Sequence, residues 1–410
     1  MAKCLSFPEV SKIACKQDEF VSEYSYKIYN SINDISPLVL DEIGVANNFF
    51  FSIGYWQSYQ AAFLDKITFR YIIISQQGVA VAFAPFQIIT FSGSNVANAE
   101  SDSSFFQVAK TWFTKKIVNL VSLRLLVSGN TFLTGELALF IKNDYVLNEK
   151  LADAYHRSID SLLDTENLNG VLIKDFYLEN TVHFKNLEAQ GFLKFKVNPN
   201  MEMEIRSNWT SFEDYVKDLT SKYRVRLHKA IARGSSLIYK QLTVANTIEH
   251  TNDLQRMLNE VIANSDFKLF NPDIAYMQSL QQNFPNNFRI TGIFRENELI
   301  GFYSTYLNSG QLVACFVGMN KNYLKEHDLY LNILYKLIEQ AIFLNTSTLI
   351  FGRTAMEIKS SVGALPKDMF LYVKHACPIR NFLVHTAVKT LSKNPFWQLR
   401  IPFKQKSPAN

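Results

Sequence analysis

An arginine, a glutamate and a lysine, Arg353, Glu357 and Lys359, stand within seven positions of one another in the stretch FGRTAMEIKSSVGALP, residues 351–366. They follow directly on the run Ser347, Thr348, Leu349, Ile350. The pattern predicts a short buried strand over Thr348–Phe351, a stop at Gly352 and a helix beginning by Ala355. The three charges then sit at the carboxyl end of a sheet, where open α/β sheets bind ligands. A turn in which Arg353 and Glu357 simply pair with each other accounts for the same charges.

A second concentration of charge lies upstream, in SFEDYVKDLTSKYRVRLHKAIARG. Phe212, Tyr215, Val216, Leu219, Tyr223, Leu227 and Ala230 share one side at helical spacing, and Thr210 with Glu213 has capping-box spacing, so one helix is expected to end before Gly234. Lys222, Arg226, Lys229 and Arg233 form a ridge within about 60° at its border. Arg226 leans toward the apolar side and is expected to need an anionic or carbonyl partner. The ridge reads either as a solvated basic edge or as a cradle for phosphate or another anion.

Other chemistries find little support. Cys4, Cys15, Cys315 and Cys377 are far apart, without CxxC or Cys/His spacing, and read as free thiols in a reducing compartment. His228, His327, His375 and His385 form no metal pair and no GxSxG occurs, so neither a metal nor a hydrolase triad is expected. A net charge of +5 without a dense Lys/Arg tract makes DNA an unexpected partner. No signal-peptide core or membrane-length apolar run is seen, so a cytoplasmic location is the expectation.

These residues need elements to hold them, and the chain supplies two similar sets. Residues 69–86, FRYIIISQQGVAVAFAPF, and 288–305, FRITGIFRENELIGFYST, both open on Phe-Arg and run strand, polar turn, strand. The turns fall near Gln76 and Gln77 and near Glu296 and Asn297. Each hairpin follows an aromatic helical stretch, Tyr55–Phe63 and Ile274–Gln282. Each is followed by a strand (Leu125–Val127; Leu312–Val317), a helix (about 148–163; about 328–344) and a short apolar strand (Val171–Ile173; Thr348–Phe351). The 410 residues, 48% hydrophobic and 19% charged, suffice for two globular domains. The reading is an α/β chain of two tandem units, 21–205 and 206–395, with an extension at 1–20 and a tail at 396–410. The 33 Phe and 19 Tyr suit aromatic cores or an apolar groove.

FGRTAMEIKSSVGALP, the preceding helix YLNILYKLIEQAI and the helix carrying Tyr223, Arg224 and Arg226 resemble the acyl-CoA N-acyltransferase (GNAT) superfamily. The tandem-domain, FemAB-like branch of bacterial acetyltransferase-like proteins is the nearer likeness. The resemblance is best over 205–380 and fainter through NNFFFSIGYWQSY and LLVSGNTFLTGE. It implies two GNAT-like domains, each a twisted mixed sheet flanked by helices, the second carrying the working cleft and the first supporting it. One departure stands out: where single-domain members have a glycine-rich pyrophosphate loop, this chain has NKNYLKEH. Without glycine, backbone amides wrap a pyrophosphate less closely. Either Lys321 and Lys325 substitute by charge, or the donor is not coenzyme A.

The resemblance implies an N-acyltransferase moving an acyl group, rather than an aminoacyl group, from acyl-CoA or an acyl carrier protein thioester to an amine. That amine would belong to a small molecule, a lipid or a cell-envelope precursor, with peripheral membrane contact in the lipid case. The other readings are a Fem-type ligase using aminoacyl-tRNA and a non-catalytic binding protein. Transfer to an amine needs a proton acceptor, an oxyanion donor and alignment of the reactants. Glu357 is the candidate proton acceptor, with Arg353 and Lys359 holding a carboxylate or phosphate. Phe316, Val317, Gly318 and Met319 would supply a backbone N–H to the oxyanion, and Lys321, Lys325 and Tyr330 would complete the donor site. Arg226, Lys222 and Tyr303 would face the substrate. Phe302, Tyr303, Tyr306 and Phe316 read as core or as the wall of a fatty-acyl channel.

Overall fold

The alternating run after Lys66 folds as a hairpin of β2 (Ile67–Gln76) and β3 (Val79–Ser92). Its turn, Gln77 and Gly78, has φ of 49° and 87°, the left-handed pair whose twist matches that of the strands. The computed structural model describes residues 23–92, 122–263, 272–382 and 397–404. Cys4, Cys15 and His385 lie outside them.

The first half holds β1 (Tyr24–Tyr29), α1 (Pro37–Ile43), α2 (Ile53–Phe63), the β2–β3 hairpin, β4 (Ser122–Ser128), β5 (Phe140–Ile141), α3 (Glu149–Thr165), β6 (Gly170–Tyr177), α4 (Lys185–Ala189) and β7 (Leu193–Glu204). After α5 (Phe212–Asp218) and α6 (Ser221–Arg233), the second half repeats the plan. It comprises β8 (Leu237–Gln241), α7 (Val244–Glu249), α8 (Thr251–Ala263), α9 (Ile274–Asn283), β9 (Phe288–Arg295), β10 (Glu298–Asn308), β11 (Gln311–Met319), α10 (Leu329–Phe343), β12 (Thr348–Gly352), α11 (Met356–Ser360) and β13 (Leu365–His375).

All the described strands join one sheet in the order β1-β2-β3-β4-β6-β13-β7-β12-β11-β10-β9-β8, with β5 on β3. The halves mirror each other about the centre, and there they exchange strands. β13 lies between β6 and β7, while β7 lies between β13 and β12. Among the described strands only β4–β6 and β11–β12 are parallel, and each pair is joined by a crossover helix, α3 or α10. Parallel pairing stops at Ser128–Ile173 and at Val313–Ile350, although β6 runs on to Tyr177 and β11 to Met319. The sheet therefore opens twice at carboxyl ends.

The aromatic residues fill a core that both halves share. Tyr55, Trp56 and Tyr59 of α2 meet Tyr276 of α9 and Tyr306 of β10, and the Tyr59 and Tyr276 rings are 5.5 Å apart. On the opposite face of the second half, α5, α6 and α10 pack through Tyr215, Leu227, Leu334 and Ile338. The first half has its counterpart under α3, with Tyr155, Ile159 and Leu162.

Two local readings change. The single helix expected to end before Gly234 is two helices, broken at the extended Leu219, and its capping box is Ser211 with Asp214 instead of Thr210 with Glu213. The cause is a strap, residues 397–404. Its Phe403 bridges to Leu219, and the Thr220 N–H donates to the Pro402 carbonyl at 2.8 Å. Asn332 of α10 is buried, and its amide donates to the Ala230 and His327 carbonyls, both at 2.8 Å.

Candidate functional site

Behind β12 the backbone turns through Gly352 (φ 80°) and Ala355 (φ 55°), and this turn sends the three charges in three directions. Lys359 folds back under the strand end and donates to the Phe351 and Gly352 carbonyls at 2.7 and 3.2 Å. Burial pushes its ammonium down to about 7. Arg353 reaches into the first half and pairs with the buried Asp175 of β6 at 2.8 Å. Glu357 stays at the surface, gripped by Arg400 of the strap at 2.5 and 3.1 Å. The Arg400 hydrogen bond holds the Glu357 carboxyl below the usual range.

Glu357 opens onto a cleft of about 650 Å³ between α6, α11 and the strap. Lys222, Tyr223 and Arg226 form one wall, Met356 and Ile358 another, and Trp397 with Arg400 a third. Arg226 is exposed on this wall rather than leaning into the core, and it has no hydrogen bond or ion pair among the described residues. The basic ridge thus divides. Lys222 and Arg226 face the cleft, whereas Arg233 pairs with Asp328 at 2.9 Å. Three cations around one carboxylate give the cleft an electrostatic preference for an anion.

The loop before α10 is built differently. Asp328, in the left-handed region (φ 45°), caps α10 without a side-chain hydrogen bond and puts its carboxylate beside the helix start. The His327 Nδ1 lies 2.9 Å from the Arg233 carbonyl, which ties the loop to the end of α6. A pyrophosphate would meet a carboxylate here and no glycine, so this loop does not fit the phosphates of coenzyme A. Lys325 is exposed, and Lys321 lines a separate shallow hollow with Arg256 and Asn259.

On β11 the two-residue bulge Cys315–Phe316 stands opposite Ser304, and the Phe316 N–H is taken by the Ser304 hydroxyl at 3.0 Å. Val317 and Met319 face the α10 side and Phe316 faces the shared core. Gly318 is pressed between the Phe302 ring and the backbone of α8: a Cβ would lie 2.2 Å from the ring and 2.9 Å from the Leu258 nitrogen. Tyr330 is half-buried beside α10's start, and burial raises its hydroxyl above the usual tyrosine range. Phe302, Tyr306 and Phe316 are closed into the shared core while Tyr303 lies on the opposite face, so the four do not line one channel.

Sequence reasoning did not single out a polar seam where the halves meet. Lys174 and Asp175 bulge from β6 opposite Leu371, with Asp175 at φ 66°. The Lys174 ammonium, pushed down to about 8 by burial, bonds the Asn130 carbonyl and lies 3.8 Å from Asp175. Beyond them the Tyr177 hydroxyl donates to Glu202, and the Asn200 amide donates to both, at 3.0 Å to Tyr177 and 2.8 Å to Glu202. Glu136 accepts from the Tyr177 N–H at 2.8 Å and from Asn180 at 2.8 and 2.9 Å. Burial lifts the Glu136 carboxyl above its usual range. A signal existed in NPNMEMEI, where Asn200, Glu202 and Glu204 alternate with Met201 and Met203. Among the described residues, no group of three or more His, Cys, Asp or Glu could hold a metal ion, and no helix is long and apolar enough to cross a membrane.

Element order, the two opened parallel pairs and the single mixed sheet define a tandem GNAT-like fold. No protein-family model matches the chain, and no curated protein matches its sequence. Among solved structures, that of FemX aligns over 88% of this chain and 100% of its own, at TM-score 0.52 and 10% identity. A tandem GNAT protein from the clavulanic acid biosynthesis pathway, solved without AcCoA, covers 87% of this chain and 99% of its own, at TM-score 0.49 and 10% identity. The FemX likeness establishes the fold; the residues must carry the function.

Proposed function

We propose that the protein is an N-acyltransferase that takes an acyl group from an anionic thioester donor and delivers it to an amine. The observation that carries this reading is the cleft at the carboxyl end of β12, where Lys222, Arg226 and Arg400 surround Glu357. Phosphates of an acyl-CoA or of an acyl carrier protein's prosthetic arm would bind there, one helix away from the loop before α10. Trp397 and Tyr223 offer flat faces for the remainder of the donor. Pairing between β11 and β12 ends at Val313, and a thioester arm laid along that gap would let a donor on one side of the sheet meet an amine on the other.

Glu357 has a different role from the proton acceptor that its sequence position suggests. An exposed carboxylate whose pKa is depressed by an arginine is a weak base; its geometry suits it to orient Arg400. A second reading, transfer from aminoacyl-tRNA, draws support from the glycine-free loop, because such a donor needs a basic wall and no pyrophosphate cradle.

Thermal shift of the full chain with acetyl-CoA, long-chain acyl-CoA, acylated carrier protein and aminoacyl-tRNA tests both readings. A thioester should raise Tm, and Arg226→Ala or Arg400→Ala should each weaken its binding about tenfold or more, the loss of one charge-assisted hydrogen bond. Stabilisation by aminoacyl-tRNA alone selects the second reading. If no donor stabilises the protein, the transferase reading falls and a binding role takes its place.

A further inference from the structure

On the face of the sheet opposite the anion cleft, the polar seam carries carboxylates. Met201 and Met203 of β7 point to the core beneath α6 and α10, so Asn200 and Glu202 project from the other side. Glu202 stands directly across from Ile350 of β12, the residue at which β11 and β12 part. Tyr177 ends β6, and Glu136 reaches its backbone from the loop after β4. The seam therefore lies on the other face of the sheet, beside the point where β11 and β12 part.

Three features of this seam are those of an ammonium site. The first is an unanswered acceptor: Asn200 is fully buried, both its bonds are made by the amide nitrogen, and its Oδ1 has no hydrogen-bond partner among the described residues. A buried acceptor left unpaired is costly, so this oxygen is available to a donor from outside the chain. The second is charge. Glu136 and Glu202 both lie beside Tyr177, the lysine over its ring, Lys367, is paired with Glu179 at 3.4 Å, and Lys174 and Arg353 serve Asp175 and nearby carbonyls. The third is a precedent in place: the Lys367 ammonium stands 3.9 Å over the Tyr177 ring, a cation–π contact showing that this field holds a primary ammonium. Glu202 uses Oε1 for both Tyr177 and Asn200, which leaves Oε2 to meet an N–H from outside.

We propose that Glu136, Tyr177, Asn200 and Glu202 form a binding site for a primary ammonium group, the site at which the amine acceptor docks. The assignment of acceptor rests on the transferase reading; the ammonium site itself does not. An ammonium brings three donors, and Asn200 Oδ1, Glu202 Oε2 and the half-buried Glu136 carboxylate are the acceptors that answer them. A neutral alcohol of the same size offers one donor and no charge.

The test uses the full chain and n-butylammonium, with n-butanol as the neutral control, titrated by NMR. Saturable binding of the ammonium and none of the alcohol is expected. Glu202→Gln and Glu136→Gln, which keep the shape and an acceptor for Tyr177, should each weaken binding about tenfold or more. Lys240→Ala, on the edge strand β8, should leave it unchanged. Tyr177→Phe keeps the ring and the N–H to Glu136 and should weaken binding several-fold, a readout that remains if a glutamate variant fails to fold. Equal binding of the alcohol, no binding by the native chain, or binding by the variants within about twofold of native overturns the site. Donor thermal shifts report separately: lost donor binding with retained ammonium binding removes the transferase reading alone, and the reverse removes this site alone.

Discussion

Replacing Arg353 by alanine takes away the guanidinium that joins the two halves of the chain. Its partner, Asp175, is 1% exposed, and one of its oxygens already lacks a hydrogen bond among the described residues. Losing one member of a buried pair costs about 3–5 kcal/mol, because the other charge stays buried alone. The lower end applies here, about 3 kcal/mol, since Arg353 itself keeps 20% exposure and Lys174 remains 3.8 Å from the carboxylate. In Asp175→Asn/Arg353→Ala the stranded charge is gone, so the double variant should be more stable than the sum of its single changes by about 1–2 kcal/mol. Urea unfolding of the four proteins, followed by tryptophan fluorescence, measures both quantities. A loss below about 1 kcal/mol for Arg353→Ala, or simple additivity, would refute the interlock. Loss of transfer without loss of stability would place Arg353 on the donor instead.

Two further outcomes follow from the same region. Lys359 has a folded pKa of about 7 against about 10.4 when free, so between those values the unfolded chain holds a proton that the folded chain lacks. Stability should therefore rise with pH across that window, by up to about 1.4 kcal/mol per unit, with the full penalty present below pH 7. The unfolding free energy of the native protein relative to Lys359→Met should climb from pH 7 to 9; a flat difference would show that burial does not perturb this lysine. Gly318→Ala should cost about 1–3 kcal/mol in the same urea assay, because the added methyl overlaps the Phe302 ring and the α8 backbone, and an unchanged midpoint would mean that α8 yields freely.

Much of the architecture was legible because it is local. The paired Phe-Arg hairpins, the helices after β4 and β11 and the strand that ends at Gly352 are all written in periodicity and turn chemistry, and they emerge within a few residues of expectation. What the chain hides is long-range. Arg353 finds its partner 178 positions away, and no local pattern distinguishes that from pairing with Glu357. The break at Leu219 depends on a strap more than 180 residues downstream. The anion cleft was half visible through Lys222 and Arg226, but Arg400 and Trp397 gave no sign. The seam was least visible of all, since Glu136, Tyr177, Asn200 and Glu202 become one group only when two strands change places.

That exchange constrains how the protein is made. As the chain leaves the ribosome, β6 and β7 appear early, yet the strand that belongs between them, β13, is still about 160 residues away. At about 5–20 residues per second the gap lasts roughly 8–30 seconds. Throughout it the first half carries two unsatisfied strand edges, the kind of surface that other chains pair with. The nascent first half is thus a natural client for chaperones, and a stop codon anywhere before residue 365 leaves a product whose own sheet cannot close.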